Sequence, residues 1–330
     1  MKQSKKHTII FVICCLLLLA VGLVLAIRLG SVHITFSDIW NSIFKYKETI
    51  EFMLVRDIRI PRALSVLLTG GILGVTGAMI QGVTRNPIAE PSILGVSQGA
   101  TLVIAIFYAA GITVNTKNVM IASLIGALIT GIIVLGFISK KANNNSIAKI
   151  LLAGTAMSIF FISLTTVIGL LSNQAQMIGF WVSGGFRNAS WSDFKLVFIV
   201  GIIGLIIAML LSPKINILNL GDDVAIGLGE KPEKIRLMTL MVMIPMCAAA
   251  VAVGKNIAFV GLIVPQIVRK ILGENYKINI PCSFLLGGVL LTYADIVARM
   301  IFNPYETPIG IFTSLIGIPF FISVARKERG

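Results

Sequence analysis

Stretches with no charge, or nearly none, recur ten times along this chain, at 8–27, 63–84, 92–112, 118–139, 150–171, 196–212, 237–254, 256–268, 281–302 and 307–325. A helix needs roughly 20 apolar residues to cross the roughly 30 Å hydrocarbon core of a bilayer, and most of the runs have that length. Backbone amides inside lipid must find partners within the protein, which a helix provides for itself. The expected fold is therefore all-α, a polytopic membrane protein with about ten transmembrane helices in a single domain over residues 1–330. The weakest run is 256–268, confined between Lys255 and Arg269 and interrupted by Pro265. It needs protein neighbours to cover its loose backbone.

Composition supports this. The chain is 56% hydrophobic and 13% charged, against about 45–50% and 25% for soluble domains, and its mean hydropathy is +0.94. Little remains for a soluble domain. Lys2, Lys5 and Lys6 precede a first run too long for the usual signal-peptide core of about 7–15 residues, so it reads as an uncleaved span. The formal charge of +14 is spread between the apolar runs and forms no stripe, which argues against a nucleic-acid partner. Most of the 28 Lys and Arg fall on connections that share the side of the N-terminus. Both termini are accordingly expected in the cytoplasm. Arg28, Lys45, Lys47, Arg56, Arg59 and Arg62 gather in one long outer loop between the first two runs.

The four cysteines, Cys14, Cys15, Cys247 and Cys282, and the two histidines, His7 and His33, show no metal-ligand spacing. No metal or cofactor is expected on this chain. Gly70, Gly71, Gly74, Gly77 and Gly82 in one run, and Gly287 and Gly288 in another, suit close helix packing in lipid. Asp295 and Arg299, four residues apart on one helix face, read as a mutually neutralising pair.

The longest polar inner segment, 213–236, reads as two short helices around a glycine turn. Asp222 or Asp223 suits the start of the first, Gly227 and Gly229 the turn, and Pro232 the opening of the second. Its apolar stripe of Val224, Ala225, Ile226 and Leu228 calls for a covering partner. There is no GxxxxGK[ST] sequence, and Gly254-Lys255-Asn256 lacks both the upstream glycine and the hydroxyl. The chain is expected not to be an enzyme, and any ATP hydrolysis belongs to a separate subunit.

Several blocks resemble the permease subunits of bacterial ABC importers for ferric siderophores, haem and cobalamin, the FecCD-like permeases of the type II importer fold. They are Arg59-Ile60-Pro61-Arg62, Gly77-Ala78-Met79-Ile80-Gln81, Arg85-Asn86-Pro87-Ile88-Ala89-Glu90-Pro91, Leu94-Gly95-Val96-Ser97-Gln98-Gly99-Ala100, Trp181-Val182-Ser183-Gly184-Gly185-Phe186 and Phe259-Val260-Gly261-Leu262-Ile263-Val264-Pro265-Gln266. Ala294-Asp295-Ile296-Val297-Ala298-Arg299 and Glu306-Thr307-Pro308-Ile309-Gly310 extend the similarity towards the C-terminus. One departure is Gln266, where that family usually has His.

The resemblance implies a homo- or heterodimer of permease subunits, two cytosolic ABC ATPases using ATP and Mg, an extracellular substrate-binding lipoprotein and a metal-chelate substrate. It implies that Asp223, Val224, Ala225, Gly227, Leu228 and Gly229 couple to the ATPase. Docking of the binding protein would fall to Arg59, Arg62 and Arg299, and the substrate gate to Asn86, Ile88, Ile147 and Ala148. The local sequence looks most like ferric-hydroxamate permeases; haem and cobalamin remain as alternatives. An ion-coupled secondary transporter would be expected to carry an isolated mid-membrane acid, and a membrane enzyme a nucleophile with its base. The sequence offers neither.

Overall fold

The computed structural model describes residues 5–30, 32, 34–45, 49–112, 116–139 and 147–327. Each apolar run closes its backbone hydrogen bonds within itself, and the described residues form helices joined by turns and loops. In chain order they are α1 (Lys5–Arg28), α2 (Phe36–Phe44), α3 (Ile50–Met53), α4 (Ile60–Thr84), α5 (Val96–Ala109), α6 (Thr116–Ser139) and α7 (Ile147–Leu171). There follow α8 (Ala175–Val182), α9 (Trp191–Asn219), α10 (Asp222–Gly227), α11 (Pro232–Gly254), α12 (Val260–Leu272), α13 (Tyr276–Met300) and α14 (Ile309–Lys327). Each of the ten apolar runs coincides with one of these helices, and seven helices are long and apolar enough to cross a membrane. The runs at 92–112, 256–268 and 307–325 become the shorter α5, α12 and α14.

The helix at 60–84 is the axis. Of its apolar window 83% is buried, against 22% for α1, α7 and α9, because small residues let its neighbours come close. A Cβ added at Gly70, Gly74 or Gly77 would collide with the backbone carbonyl of Gly287, Ser283 or Gly261 respectively. Van der Waals contact between backbones replaces the hydrophobic drive that lipid removes.

The described residues of the first loop include the short helices α2 and α3. Thr35 and Asp38 form a capping box that opens α2, with Thr35 N–H donating to Asp38 Oδ2 at 2.9 Å and Asp38 N–H to Thr35 Oγ1 at 3.2 Å. The Thr35 hydroxyl, donating to Asp38 Oδ2 at 2.6 Å, and then the Thr35 N–H hold the exposed Asp38 carboxyl below its ordinary range. Pro61 does not start a helix after an extended residue; the chain is already helical from Ile50. Proline lacks an N–H and crowds the carbonyl four residues back, and a π-helical turn over Leu54–Arg59 widens the helix there, with Ile60 N–H reaching Val55 O.

The 213–236 segment differs in the same way, since residues 213–219 continue α9. Pro213 leaves the Met209 carbonyl without its helical donor, and the Ser212 hydroxyl supplies one at 2.7 Å. The helix therefore passes through the proline.

Arg299 reaches the carbonyls of Ala26 and Leu29 at the end of α1, so the ends of α1 and α13 share a face, here termed distal. The start of α1 packs with the end of α12 and the start of α13, which places them on the opposite, proximal face. The last residues of α14 run to that proximal face as well.

Candidate functional site

On the proximal face, α10 stands clear of the bundle. Val224, Ile226 and Leu228 are exposed, while Ala225 is fully buried against the bundle. Asp222 ties it down: its carboxylate accepts from Arg236 at 2.8 Å and from Arg85 at 3.0 Å. Asp223 lies in the first turn beside it. Gly229 has φ +79°, the left-handed geometry of a turn, and neither it nor Gly227 has a neighbour that a Cβ would meet. The seven residues from Asp223 to Gly229 thus form one small knob, with Ala225 as its buried foot, and Arg85 connects it to the end of α4.

Directly after Arg85 the chain turns back into the bundle. Helix α5 has fourteen residues and spans about 21 Å at 1.5 Å per residue, short of the hydrocarbon thickness. The 85–95 segment covers the remaining depth, and residues 255–259 do the same for the thirteen-residue α12. Non-helical backbone at that depth must be paired by protein. Where the two segments meet, Phe259 N–H donates to Glu90 Oε1. Gln81, buried on α4, donates to the carbonyl of Leu262 at 3.1 Å, and its Oε1 accepts from Arg269 at 3.1 Å. Gln266 donates to the Pro87 carbonyl. The position where the resembling family usually has His is therefore occupied by a neutral amide that clasps the 85–95 segment to α12.

Asn86 and Ile88 sit in this segment, half-buried, with Ile88 N–H donating to Asn86 Oδ1 at 3.0 Å. The expected gate partners Ile147 and Ala148 open α7, and their side chains lie outside the described residues. Sequence reasoning passed over Gln81.

In the distal half, a cavity of about 440 Å³ opens between α5, α7 and α8. Ser97, Gln98 and Thr101 face it from α5, Thr165 and Thr166 from α7, and Asn256 from the 255–259 segment; Ile162, Leu170, Ile178 and Val182 supply apolar wall. Gln98 Oε1 and Thr165 Oγ1 are buried there without a partner among the described residues. Among the described residues no charged side chain lines it. Neutral hydroxyls and amides on an apolar wall can guide a polar solute without holding it fast. The sequence signal was present, because positions 97, 98 and 101 share one helix face.

The three arginines expected to dock a binding protein lie at the distal helix ends. Arg59, Arg62 and Arg299 are 5%, 6% and 8% exposed, and all three are engaged inside the molecule. Arg59 donates to the carbonyls of Ile27, Arg28 and Val32 at 2.7–2.9 Å, satisfying the frayed end of α1. Arg62 bridges Asp295 at 2.8 Å and Glu306 at 2.7 Å. Arg299 lies 3.1 Å from the other oxygen of Asp295. The Asp295–Arg299 pair inferred from spacing is present within a four-membered cluster. Long-range folding, invisible in local sequence, brings Arg62 to it.

The FecCD transport family profile matches residues 17–327. The Bacillus subtilis iron(3+)-hydroxamate import system permease protein FhuB is 39% identical over 322 residues, 97% of this chain and 84% of that protein. The iron-uptake system permease protein FeuB of the same organism is 35% identical, over 99% of this chain and 98% of its own length. The Bacillus subtilis Fe(3+)-citrate import system permease protein YfmD is also 35% identical, over 99% and 97%. Among solved structures, an inward-facing conformation of a metal-chelate type ABC transporter superposes with TM-score 0.83 at 26% identity, covering 96% of this chain and 98% of that one.

Proposed function

The chain belongs to the FecCD transport family, and on that premise we propose that it is the transmembrane permease subunit of an ATP-driven ABC importer that carries a ferric siderophore into the cytoplasm. A hydroxamate cargo is favoured by the similarity to FhuB. The observation that carries the importer reading is the α10 knob, an exposed apolar stripe on a water-facing helix that needs a second protein to cover it. In this reading the proximal face is cytoplasmic, both termini lie there, and two ATPase subunits using ATP and Mg grip Asp223 to Gly229. A second permease subunit closes the path whose wall is the α5, α7 and α8 cavity. Asn86, Ile88, Ile147 and Ala148 form the inner gate.

An extracellular substrate-binding lipoprotein docks on the distal face. Of the arginines assigned to that docking, Arg62 is the one whose ion pair reaches the surface, because Glu306 is 28% exposed. A carboxylate of the binding protein exchanges with Glu306 there, while Arg59 and Arg299 fix the helix ends around it.

Uptake assays test the cargo. A strain lacking the chain, supplied with radiolabelled ferric hydroxamate, ferric citrate, haem or cobalamin, should lose hydroxamate uptake alone and regain it from a plasmid copy. Retained hydroxamate uptake together with loss of another cargo would reassign the substrate; retention of all four would overturn the importer reading.

A further inference from the structure

Helix α2 turns a row of three aromatic rings away from the protein. Phe36, Trp40 and Phe44 follow one another at four-residue spacing on one helix face and are 57%, 63% and 64% exposed. The Trp40 and Phe44 rings lie 4.4 Å apart, centroid to centroid. The packed side of the helix is a different one, with Ser42 buried and Ile39 half-buried. Ser37 and Asn41 make a polar edge beside the row, joined by a hydrogen bond from Asn41 Nδ2 to Ser37 Oγ at 3.2 Å. Asp38, the one acid of α2, lies off the row and is held by Thr35. Three rings left open in this way form an apolar patch of the kind that marks a contact.

What covers the patch follows from its surroundings. Ile10, Leu17, Val21 and Val24 are exposed on one face of the α1 span, and Arg28 stands on that same face one turn beyond Val24. The Arg28 guanidinium lies over the Phe36 ring, 4.5 Å from its centroid. The aromatic row therefore begins where the open apolar face of α1 ends. Its height is that of the distal helix ends. Trp191, which opens α9 and is 37% exposed, donates its indole N–H at 3.1 Å to the Arg56 carbonyl, in the π-helical turn against which α2 packs. Tryptophan collects at the boundary between hydrocarbon and water, where its ring and its N–H each find a suitable neighbour. Exposed cations stand at both ends of the row, Arg28 and Lys45, and long basic side chains at this level reach lipid phosphates while their stems stay on apolar surface.

We infer that α2 is an interfacial helix, sunk by its Phe36, Trp40 and Phe44 row into the headgroup layer of the distal leaflet. The occupant of the open face is the bilayer itself, continuous with the lipid against α1. An amphipathic helix lying flat buries its apolar side by about 5–10 Å in that layer and keeps its polar edge in water. The inference goes beyond the importer reading and holds whatever the cargo. Arg59 takes the carbonyl of Val32 just before α2, so an anchored α2 also holds the chain leaving α1 at a fixed height above the bilayer.

Fluorescence of the full-length chain in phosphatidylglycerol nanodiscs tests the placement. The chain has three tryptophans, and Trp40→Phe, which keeps a ring in the row, supplies the spectrum to subtract. The Trp40 component should be quenched about twofold or more by phosphatidylglycerol brominated near the headgroup end of its acyl chains, less by lipid brominated near the methyl end, and weakly by aqueous iodide. Asn41→Trp in the Trp40→Phe background moves the reporter to the polar edge, where iodide should become the stronger quencher. Strong iodide quenching of Trp40 without quenching by brominated lipid would put the row in water and overturn the anchor. Protection from both quenchers would mean that protein covers the row, a second copy of the chain or another partner, and would overturn it equally. Quenching strongest from the methyl end would place α2 within the hydrocarbon core, and identical behaviour of the two reporters would show that no face is selected; either result also overturns the interfacial helix.

Discussion

Single residues in this molecule carry unequal burdens. Asp295 is 1% exposed and neutralises two guanidinium groups, Arg62 at 2.8 Å and Arg299 at 3.1 Å. Removing one member of a buried ionic cluster leaves the others desolvated and unmatched, which costs about 3–5 kcal/mol. Asp295→Leu should therefore lower the thermal unfolding midpoint in detergent sharply, and Asp295→Leu with Arg299→Leu should recover part of the loss. A second residue-scale prediction concerns Gly77, where even a methyl group meets the Gly261 carbonyl. Gly77→Ala should destabilise by about 1–3 kcal/mol or more through overpacking. Gly179→Ala, with no described atom within 4 Å of the added carbon, should not lower the melting midpoint. Both are checked in the same assay.

Among the elements, α10 and the 85–95 segment are joined through the Arg85–Asp222–Arg236 bridge, so a partner that moves the knob pulls on the chain just before Asn86. Val224→Asp with Leu228→Asp should leave the permease in the membrane and abolish copurification of the ATPase. Cysteines at positions 86 and 88 should react with a cytosolic thiol reagent in one nucleotide state and be protected in another, with labelling compared with and without ATP analogue. That the ten apolar runs are helices, seven of them long enough to cross a membrane among the described residues, was legible because a charge-free stretch in lipid has one outcome. Less was legible where a proline interrupts a run or where the outcome depends on distant chain. The continuation of α9 past Pro213 rests on one Ser212 hydroxyl bond, and the helix before Pro61 rests on a widened turn; neither follows from residue type. The α10 knob was readable from its stripe and glycines, whereas the burial of Arg59, Arg62 and Arg299 required knowing what α1 and α13 bring beside them. Thr35 and Asp38, at capping-box spacing, were a missed local signal for α2.

At the scale of the whole molecule, α10 and the two described chain ends share the proximal face, and the Trp181 to Asp193 stretch lies on the distal one. Single cysteines at Ser37 and Asn188 should be modified by a membrane-impermeant reagent in intact cells, and one at Glu230 only after lysis; the reverse pattern would invert the orientation. The spine along α4 has a further consequence. Gly70, Gly74 and Gly77 meet backbone carbonyls, leaving almost no freedom to substitute there, yet the cavity walls belong to α5, α7 and α8, which the spine does not touch through those glycines. In the proposed importer, substitutions that reshape the cavity therefore fall on helices that can change without disturbing the central packing, so shape and cargo fit are written in separate parts of the sequence.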